Sequence, residues 1–256
     1  MLEQYIKEKQ KTKSLLLMNH TVIGYPSLDD NWEMLTLMQD AGVDLVELQF
    51  PFSEPIADGP VFIRANQASL NNGTHWDDYF DFFSRASAEF DFPLLHMGYY
   101  NNVFSIGHEK FCDRLKTSGG AGYIIADLPV DLATDLDSYA SSKELDPIHI
   151  MTPVNSEQRL QEISKASSGF LYCVARKGVT GHETEFNSVI VDYLQRCRQV
   201  TELPLAVGFG IKSAEQISQL NGIADIAIVG SACLEVWEQQ GKAEYKQFLN
   251  ELNEAR

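Results

Sequence analysis

The sequence predicts an α/β protein, a (β/α)8 TIM barrel in a single domain of residues 1–256 with additional helices. Eight short runs rich in β-branched and apolar residues recur along the chain, and stretches with helical spacing of apolar residues separate them. No Ser/Gly linker or low-complexity tract divides the sequence. Strands that alternate with helices are typical of a parallel sheet, and eight such repeats can close into a barrel.

The predicted elements follow one another in a regular order. Strands are expected at 15–23, 45–50, 93–99, 122–128, 148–152, 169–175, 205–209 and 225–229. The clearest helical patterns lie at 32–39, 109–117, 156–166 and 188–200, with an additional helix at 76–90 and a final one at 243–256. Ser156 and Ser213 are expected to cap helix starts, and Gly42 and Gly119 to follow helix ends.

An open, doubly wound sheet is the alternative architecture. It usually carries a glycine-rich fingerprint after its first strand. Here the first strand ends in the segment 23–26, IGYP, which does not fit that fingerprint. The barrel is therefore the favoured fold.

Composition excludes several classes of function. A net charge of −16 and a pI near 4.7 disfavour nucleic acid and anionic membranes as partners. The four cysteines match neither a zinc motif nor a Cys-x-x-Cys pair, and the six histidines show no ligand spacing, so no metal is expected. The polar N-terminus and the lack of a long apolar run predict a cytoplasmic protein.

The most informative segment is 46–60, VELQFPFSEPIADGP. It reads as a buried strand that enters a loop stiffened by prolines, with Glu47 in the strand and Asp58 in the loop. A carboxylate in an apolar strand is costly to bury unless it has a partner or a task. Glu47 is compatible with a structural role and Asp58 with an Asp-Gly turn. Together they suggest a general acid and a general base.

Glycines follow the last two predicted strands. In barrel enzymes the loops there often bind phosphate through backbone N–H groups and a helix N-terminus. Gly210, Gly230 and Ser231 are the expected donors, and Gly181 could complete the set; ordinary tight turns are the alternative. The loop 176–181 fits either a mobile lid or a plain surface loop. Four aromatic residues could form an apolar wall for a planar ligand, or they could belong to the core. They are Tyr99, Tyr100, Tyr172 and Phe209.

These motifs, taken in order, resemble the tryptophan synthase alpha chain family over nearly the whole chain. The most specific is the string 51–60, PFSEPIADGP. The others are DAGVD at 40–44, YYN at 99–101, ADLP at 126–129, RKGVTG at 176–181, GFGI at 208–211 and GSA at 230–232.

The resemblance implies cofactor-free, retro-aldol cleavage of indole-3-glycerol phosphate to indole and glyceraldehyde 3-phosphate. Glu47 then corresponds to the general acid/base and Asp58 to the carboxylate that accepts the indole N–H. The remaining substrate-binding positions are Gly181, Gly210, Gly230 and Ser231 for phosphate, Tyr172 and Phe209 for indole, and Thr180 in the lid. The implied partner is a beta chain that carries pyridoxal phosphate, in an alpha2-beta2 heterotetramer.

Several positions depart from the family's pattern. Glu54 replaces an Asp in the loop expected to meet the beta chain, and Tyr25 replaces another Asp. His20 stands where an aromatic residue is usual, and Gln49-Phe50 replaces a small pair that contains Gly. The alternatives are thus a stand-alone lyase that releases free indole, and a barrel that mainly activates a partner. A phosphorylated-sugar isomerase or epimerase on the same fold is more distant.

Overall fold

The computed structural model describes residues 2–174, 188–208 and 210–256. Its nine described strands form one parallel sheet in the order β5-β4-β3-β2-β1-β9-β8-β7-β6. The strands are β1 (Leu16–Val22), β2 (Leu45–Gln49), β3 (Leu94–Gly98), β4 (Gly122–Ile125), β5 (Asp146–Pro147), β6 (Ile150–Met151), β7 (Leu171–Val174), β8 (Leu205–Gly208) and β9 (Ile226–Val229).

The two ends of this order are consecutive in sequence. Ile148, between β5 and β6, donates its backbone N–H to Tyr123 O in β4 at 3.0 Å. The next residue, His149, accepts from Tyr172 N in β7 at 3.2 Å. One extended segment therefore pairs with both β4 and β7 and closes the sheet into a barrel. The predicted (β/α)8 fold is confirmed, with its fifth strand divided into two short halves.

Helices surround the sheet. Those in the described residues are α1 (Leu2–Lys9), α2 (Leu28–Asp40), α3 (Pro60–Asn71), α4 (Trp76–Glu89), α5 (Tyr100–Ile106), α6 (His108–Thr117), α7 (Val130–Ser142), α8 (Glu157–Ala166), α9 (Ser188–Gln199), α10 (Ala214–Ser218), α11 (Ser231–Gln240) and α12 (Lys242–Glu254). None of these helices has the length and apolar composition needed to cross a bilayer.

The predicted helix ends are confirmed. Ser156 Oγ accepts from Arg159 N at 3.2 Å, and Ser213 Oγ accepts from Gln216 N at 3.4 Å. Gly42 and Gly119 follow α2 and α6 with φ of +79° and +84°, a conformation that favours glycine.

The apolar strand residues form two clusters, one on each face of the sheet. The inner cluster contains Leu16 and Met18 from β1, Leu45 from β2, and Leu2 and Ile6 from α1. Helix α1 thus packs its apolar side into the barrel interior near the strand starts. Side chains alternate along a strand, so His20, Glu47 and Gln49 also face inward, nearer the carboxyl ends.

The outer cluster lies between sheet and helices, and a second buried histidine packs against its members. His96 is fully buried beside Tyr79, whose hydroxyl donates to Leu48 O at 2.8 Å and lies 2.8 Å from His96 Nδ1. Burial lowers the pKa of His96 to about 3. This histidine is therefore a neutral core residue, on the opposite face of the sheet from the barrel interior.

Candidate active site

A cavity of about 590 Å³ opens at the carboxyl ends of the strands. Its floor is formed by strand residues, and the loops after β2 and β6 contribute its rim. Most of the lining is apolar, and the polar and glycine residues that line it are His20, Glu47, Asp58, Thr152, Tyr172, Gly208, Gly210, Gly230 and Ser231. This is where the active site of a parallel barrel is expected.

Glu47 is a fully buried carboxylate that lines this cavity. Its Oε2 lies 3.4 Å from Nδ1 of His20, its paired residue on β1. Neither of its oxygens has a regular hydrogen bond among the described residues. A buried carboxylate without hydrogen bonds is destabilising. Glu47 is therefore arranged as a reactive group rather than as a structural one.

Asp58 is also buried, but it is held firmly. Its Oδ2 accepts from Gln49 Nε2 at 2.8 Å and from Asn66 Nδ2 at 3.2 Å. Burial raises the pKa of Asp58, while Gln49, His20, Tyr99 and Asn66 oppose the rise. The loop thus presents one fixed carboxylate beside the freer one on β2.

His20 and Gln49 connect these two carboxylates. His20 Nε2 lies 2.7 Å from Gln49 Oε1, and the ring stacks on Phe62 at 4.3 Å between centroids. Burial favours the neutral ring, yet the close contact with Glu47, the charges of Glu47 and Asp58, and Gln49 together raise the pKa of His20 above 6.5.

In the sequence, His20 and Gln49 stand out only as departures from the family's pattern, and Asn66 does not stand out at all. The pairing of His20 with Glu47 across adjacent strands, with Gln49 two residues further on, is the signal that could have linked them.

Tyr172 is the described member of the expected aromatic wall that lines the cavity. Burial, then the charges of Glu47 and Asp58, holds the pKa of its hydroxyl well above its ordinary value, so the hydroxyl stays neutral. Tyr99 lies behind the loop, where its hydroxyl accepts from Ala57 N at 3.2 Å. Tyr100 lies in α5 with its hydroxyl 3.1 Å from His108 Nε2, and it does not line the cavity.

Glycines and a helix start form the opposite corner of the cavity. Gly210, Gly230 and Ser231 all line it, and α11 begins at Ser231. The first bond of this helix is Cys233 N to Gly230 O at 3.0 Å, so the amides of Ser231 and Ala232 have no intrahelical acceptor. The helix dipole adds positive potential there, which makes this corner suitable for an anion.

Several expected residues lie outside the part of the chain that the structure describes. Thr180, Gly181, Phe209 and the loop 176–181 lie outside the described residues. Within the described ranges, no group of three or more His, Cys, Asp or Glu side chains is arranged to hold a metal ion.

The described geometry combines a free carboxylate, a fixed carboxylate and an anion corner around an apolar cavity. It suits proton transfer on a substrate that carries an apolar ring at one end and a phosphate at the other. The two carboxylates differ in their hydrogen bonding, which is how one site obtains two proton-transfer roles.

Comparison with known proteins gives a consistent result. Residues 6–256 match the sequence profile of the family described as tryptophan synthase alpha chain. The chain is 46% identical over 252 residues to the tryptophan synthase alpha chain of Desulforapulum autotrophicum, covering 98% of this chain and 100% of the relative. With the same coverage it is 45% identical to that of Syntrophotalea carbinolica.

Solved structures resemble it over the whole fold. A structure of Mycobacterium tuberculosis tryptophan synthase superposes with a TM-score of 0.93 at 28% identity, covering 99% of this chain and 97% of that chain. A chain of the tryptophan synthase complex from Pyrococcus furiosus gives a TM-score of 0.84 at 27% identity, covering 94% and 96%.

Proposed function

The chain belongs to the tryptophan synthase alpha chain family, and we propose that Glu47 and Asp58 perform that family's reaction in it. The family's enzymes are lyases of tryptophan biosynthesis. They cleave indole-3-glycerol phosphate by a retro-aldol reaction to indole and glyceraldehyde 3-phosphate. The observation that carries the assignment of residues is the pair of buried carboxylates, one free and one fixed, in the same cavity.

Glu47 is the proposed general acid and base. Cleavage requires a proton on C3 of the indole ring and removal of a proton from the neighbouring side-chain hydroxyl. Glu47 lines the cavity, and neither of its oxygens makes a regular hydrogen bond among the described residues. Oε2 lies 3.4 Å from His20 Nδ1, which leaves Oε1 available to the substrate. Glu47 gives its proton to C3 and regains one from the hydroxyl, which leaves the enzyme unchanged.

Asp58 is the proposed acceptor of the indole N–H. Protonation at C3 places positive charge on the ring nitrogen, and a nearby carboxylate stabilises that charge. Gln49 and Asn66 hold Asp58 Oδ2 with two hydrogen bonds, which fixes the carboxylate before the substrate arrives. This fixed position supports an electrostatic role over a mobile, proton-transferring one.

The phosphate is proposed to bind at Gly210, Gly230 and Ser231, where the start of α11 supplies unpaired amides. Tyr172 would contact the indole. Gly181, Thr180 and Phe209 complete the proposed substrate contacts by their match to the family. These steps are proton transfers and anion binding, so the chain itself requires no cofactor.

The proposed partner is a beta chain that carries pyridoxal phosphate, in an alpha2-beta2 heterotetramer. Support comes from large apolar side chains exposed on segments that follow the carboxyl ends of β2, β3, β4 and β6. They are Ile56, Phe104, Leu132 and Val154. The described cysteines are all free thiols, which fits the proposed cytoplasmic location.

Indole release from indole-3-glycerol phosphate tests this proposal. The purified chain is assayed with and without a tryptophan synthase beta chain, alongside Glu47→Gln and the control Glu244→Gln on the exposed side of α12. We expect Glu47→Gln to lose at least ~10²-fold in rate, because it keeps the shape but not the proton transfer. The control should retain the full rate.

Each result decides between specific alternatives. A slow basal rate that the beta chain raises strongly supports the alpha component. Fast release that the beta chain does not change supports a stand-alone lyase. Turnover near the wild-type rate by Glu47→Gln would refute the role given to Glu47.

A further inference from the structure

We propose that His20 and Gln49 are positioning residues that link the two carboxylates, and that His20 shares the catalytic proton with Glu47. This inference rests on the proposed roles of Glu47 and Asp58. It concerns two side chains that form a matched pair. A residue unable to donate at position 20 would leave Gln49 Oε1 without its partner, and glycine at position 49 would leave His20 Nε2 without its acceptor.

The direction of the hydrogen bonds follows from Asp58. An ionised carboxylate can only accept, so the group of Gln49 that lies 2.8 Å from Asp58 Oδ2 must be the amide NH2. The amide oxygen of Gln49 then faces His20 Nε2 at 2.7 Å and must accept from it. Asp58 therefore fixes the proton of His20 on Nε2.

Nδ1 of His20 is consequently the atom that faces Glu47, at 3.4 Å from Oε2. With Nε2 already protonated, a pair that holds one further proton has two arrangements: Nδ1 accepts from a protonated Glu47, or Nδ1 carries the proton and donates to the carboxylate. In both arrangements one proton lies between the two groups. The pair thus holds the proton that Glu47 delivers to the substrate.

The surroundings of His20 favour this shared proton. The described groups that act on it are Glu47 from β2, Asp58 and Gln49 on its Nε2 side, and Phe62 from α3. Tyr172, across the cavity, is neutral. Burial alone would discharge the ring, but the two carboxylates outweigh it and place the pKa of His20 above 6.5.

The shared proton has a chemical consequence. Glu47 must be protonated when it meets C3 of the indole, whereas an ionised carboxylate cannot serve as the acid. Two basic groups bind one proton more tightly than either alone, because each adds a way to hold it. His20 therefore extends to higher pH the range in which the site holds this proton. The pH above which activity is lost is then set by His20 and Glu47 together.

A titration without substrate tests the contact between His20 and Glu47 directly. The chain is labelled with 15N-histidine, and the ring signals are followed by NMR from pH 5 to 9 in the wild type and in Glu47→Gln. We expect the His20 midpoint to lie above 6.5 and to fall by about one unit or more in Glu47→Gln, since an opposite charge is lost while burial remains. His96 is the internal control and should not titrate. A His20 midpoint that Glu47→Gln does not change would overturn the proposal.

Two substitutions separate positioning from proton sharing. His20→Gln can still donate to Gln49 Oε1 but cannot titrate, whereas His20→Phe can do neither. The basal rate of indole release is measured against pH for both, with His75→Gln, an exposed histidine, as the control. We expect the alkaline limit to move to lower pH in both variants, because the proton is then held by one basic group instead of two.

The KM for indole-3-glycerol phosphate tests the other proposed role of His20, which is to position Gln49 and Asp58. His20→Gln should keep a KM near that of the wild type, since Gln49 and Asp58 stay in place, while His20→Phe should raise it. Unchanged pH profiles in both variants would refute proton sharing. Failure of the proposed function is a separate outcome, because it abolishes indole release in the wild type and leaves the NMR titration intact.

Discussion

At the scale of single residues, Asp58 shows how function opposes stability in this site. Its carboxylate is buried, and four neighbouring groups reduce the resulting rise in its pKa without cancelling it. When the pKa of a carboxyl is higher in the folded than in the unfolded protein, its charged form destabilises the fold. This penalty is complete at pH values above the folded pKa and disappears at pH values below the unfolded pKa. The site therefore keeps a charge that folding alone would not favour.

Asp58→Asn should reveal this conflict. The amide keeps an oxygen for Gln49 and Asn66 but removes the buried charge, so we expect a higher melting temperature than that of the wild type at pH 7. As pH falls, Asp58 takes up a proton and the difference should shrink, until it vanishes below the ordinary aspartate pKa of 3.8. Melting curves at several pH values measure it, and the same variant should lose most of its indole release. Equal stability of the two proteins at pH 7 would contradict this account.

Sequence alone identifies a candidate site residue where its side chain stands out from the local pattern. Glu47 in an apolar strand and Asp58 in a proline-rich loop are visible without a structure. The links between them are not, because they depend on neighbours. Gln49 reaches Asp58 only because β2 and its loop bring them together, and His20 reaches both through the register of β1 against β2.

At the scale of elements, α11 and α3 meet at the corner proposed to bind phosphate. The Cα of Gly230 approaches α3 so closely that an added Cβ would lie 2.9 Å from Phe62 Cζ and 3.4 Å from His20 Cβ. The ring of Phe62 is in turn stacked on His20. The close approach of the backbone to α3 thus places the start of α11 beside the carboxylate network.

Gly230→Ala should disturb both the start of α11 and the neighbouring carboxylate network. Because the new methyl group must displace Phe62, we expect KM for indole-3-glycerol phosphate to rise by roughly tenfold, equivalent to about 1.4 kcal/mol. Ser231→Ala should raise it less, through loss of one hydroxyl, and Ser218→Ala on the exposed side of α10 is the control. Steady-state kinetics provide the measurement. A Gly230→Ala enzyme with wild-type KM would exclude phosphate binding at this corner.

Elements were predictable where local signals were strong. Helices α2, α6 and α8 lie close to their predicted positions, because glycines or a capping serine mark an end of each. The fifth strand was predicted as one unit, yet it is divided, because its two halves pair with different neighbours. Helix α1 was not predicted, since eight mostly polar residues carry little signal until Leu2 and Ile6 meet the barrel interior.

At the scale of the whole molecule, the proposed phosphate site would let an acidic protein hold an anion. The net charge of −16 repels a phosphorylated substrate at long range. Backbone amides at the start of α11 act at short range inside an apolar cavity, where their field is weakly screened. Neither lysine nor arginine lines the cavity among the described residues. The fold itself therefore supplies the local positive potential.

The same end of the barrel presents the proposed surface for the beta chain. Phe104 in α5 and Leu132 in α7 are 65% and 68% exposed, although large apolar side chains are usually buried. They follow β3 and β4, so they lie at the carboxyl ends of the strands, where the cavity opens. A partner that covers both would also lie beside the cavity mouth, where a released product could pass to it.

The double variant Phe104→Ser, Leu132→Ser tests this placement. Neither residue lines the cavity, so the basal rate of indole release should stay within about twofold of the wild type. Stimulation by the beta chain should fall by at least ~10-fold, because loss of two buried anchors costs well over 1.4 kcal/mol of binding free energy. Tyr139→Ser, two turns further along α7 and 40% exposed, is the matched control. If the double variant were stimulated as strongly as the control, the beta chain would have to bind elsewhere, and the apolar residues at the cavity mouth would need another explanation.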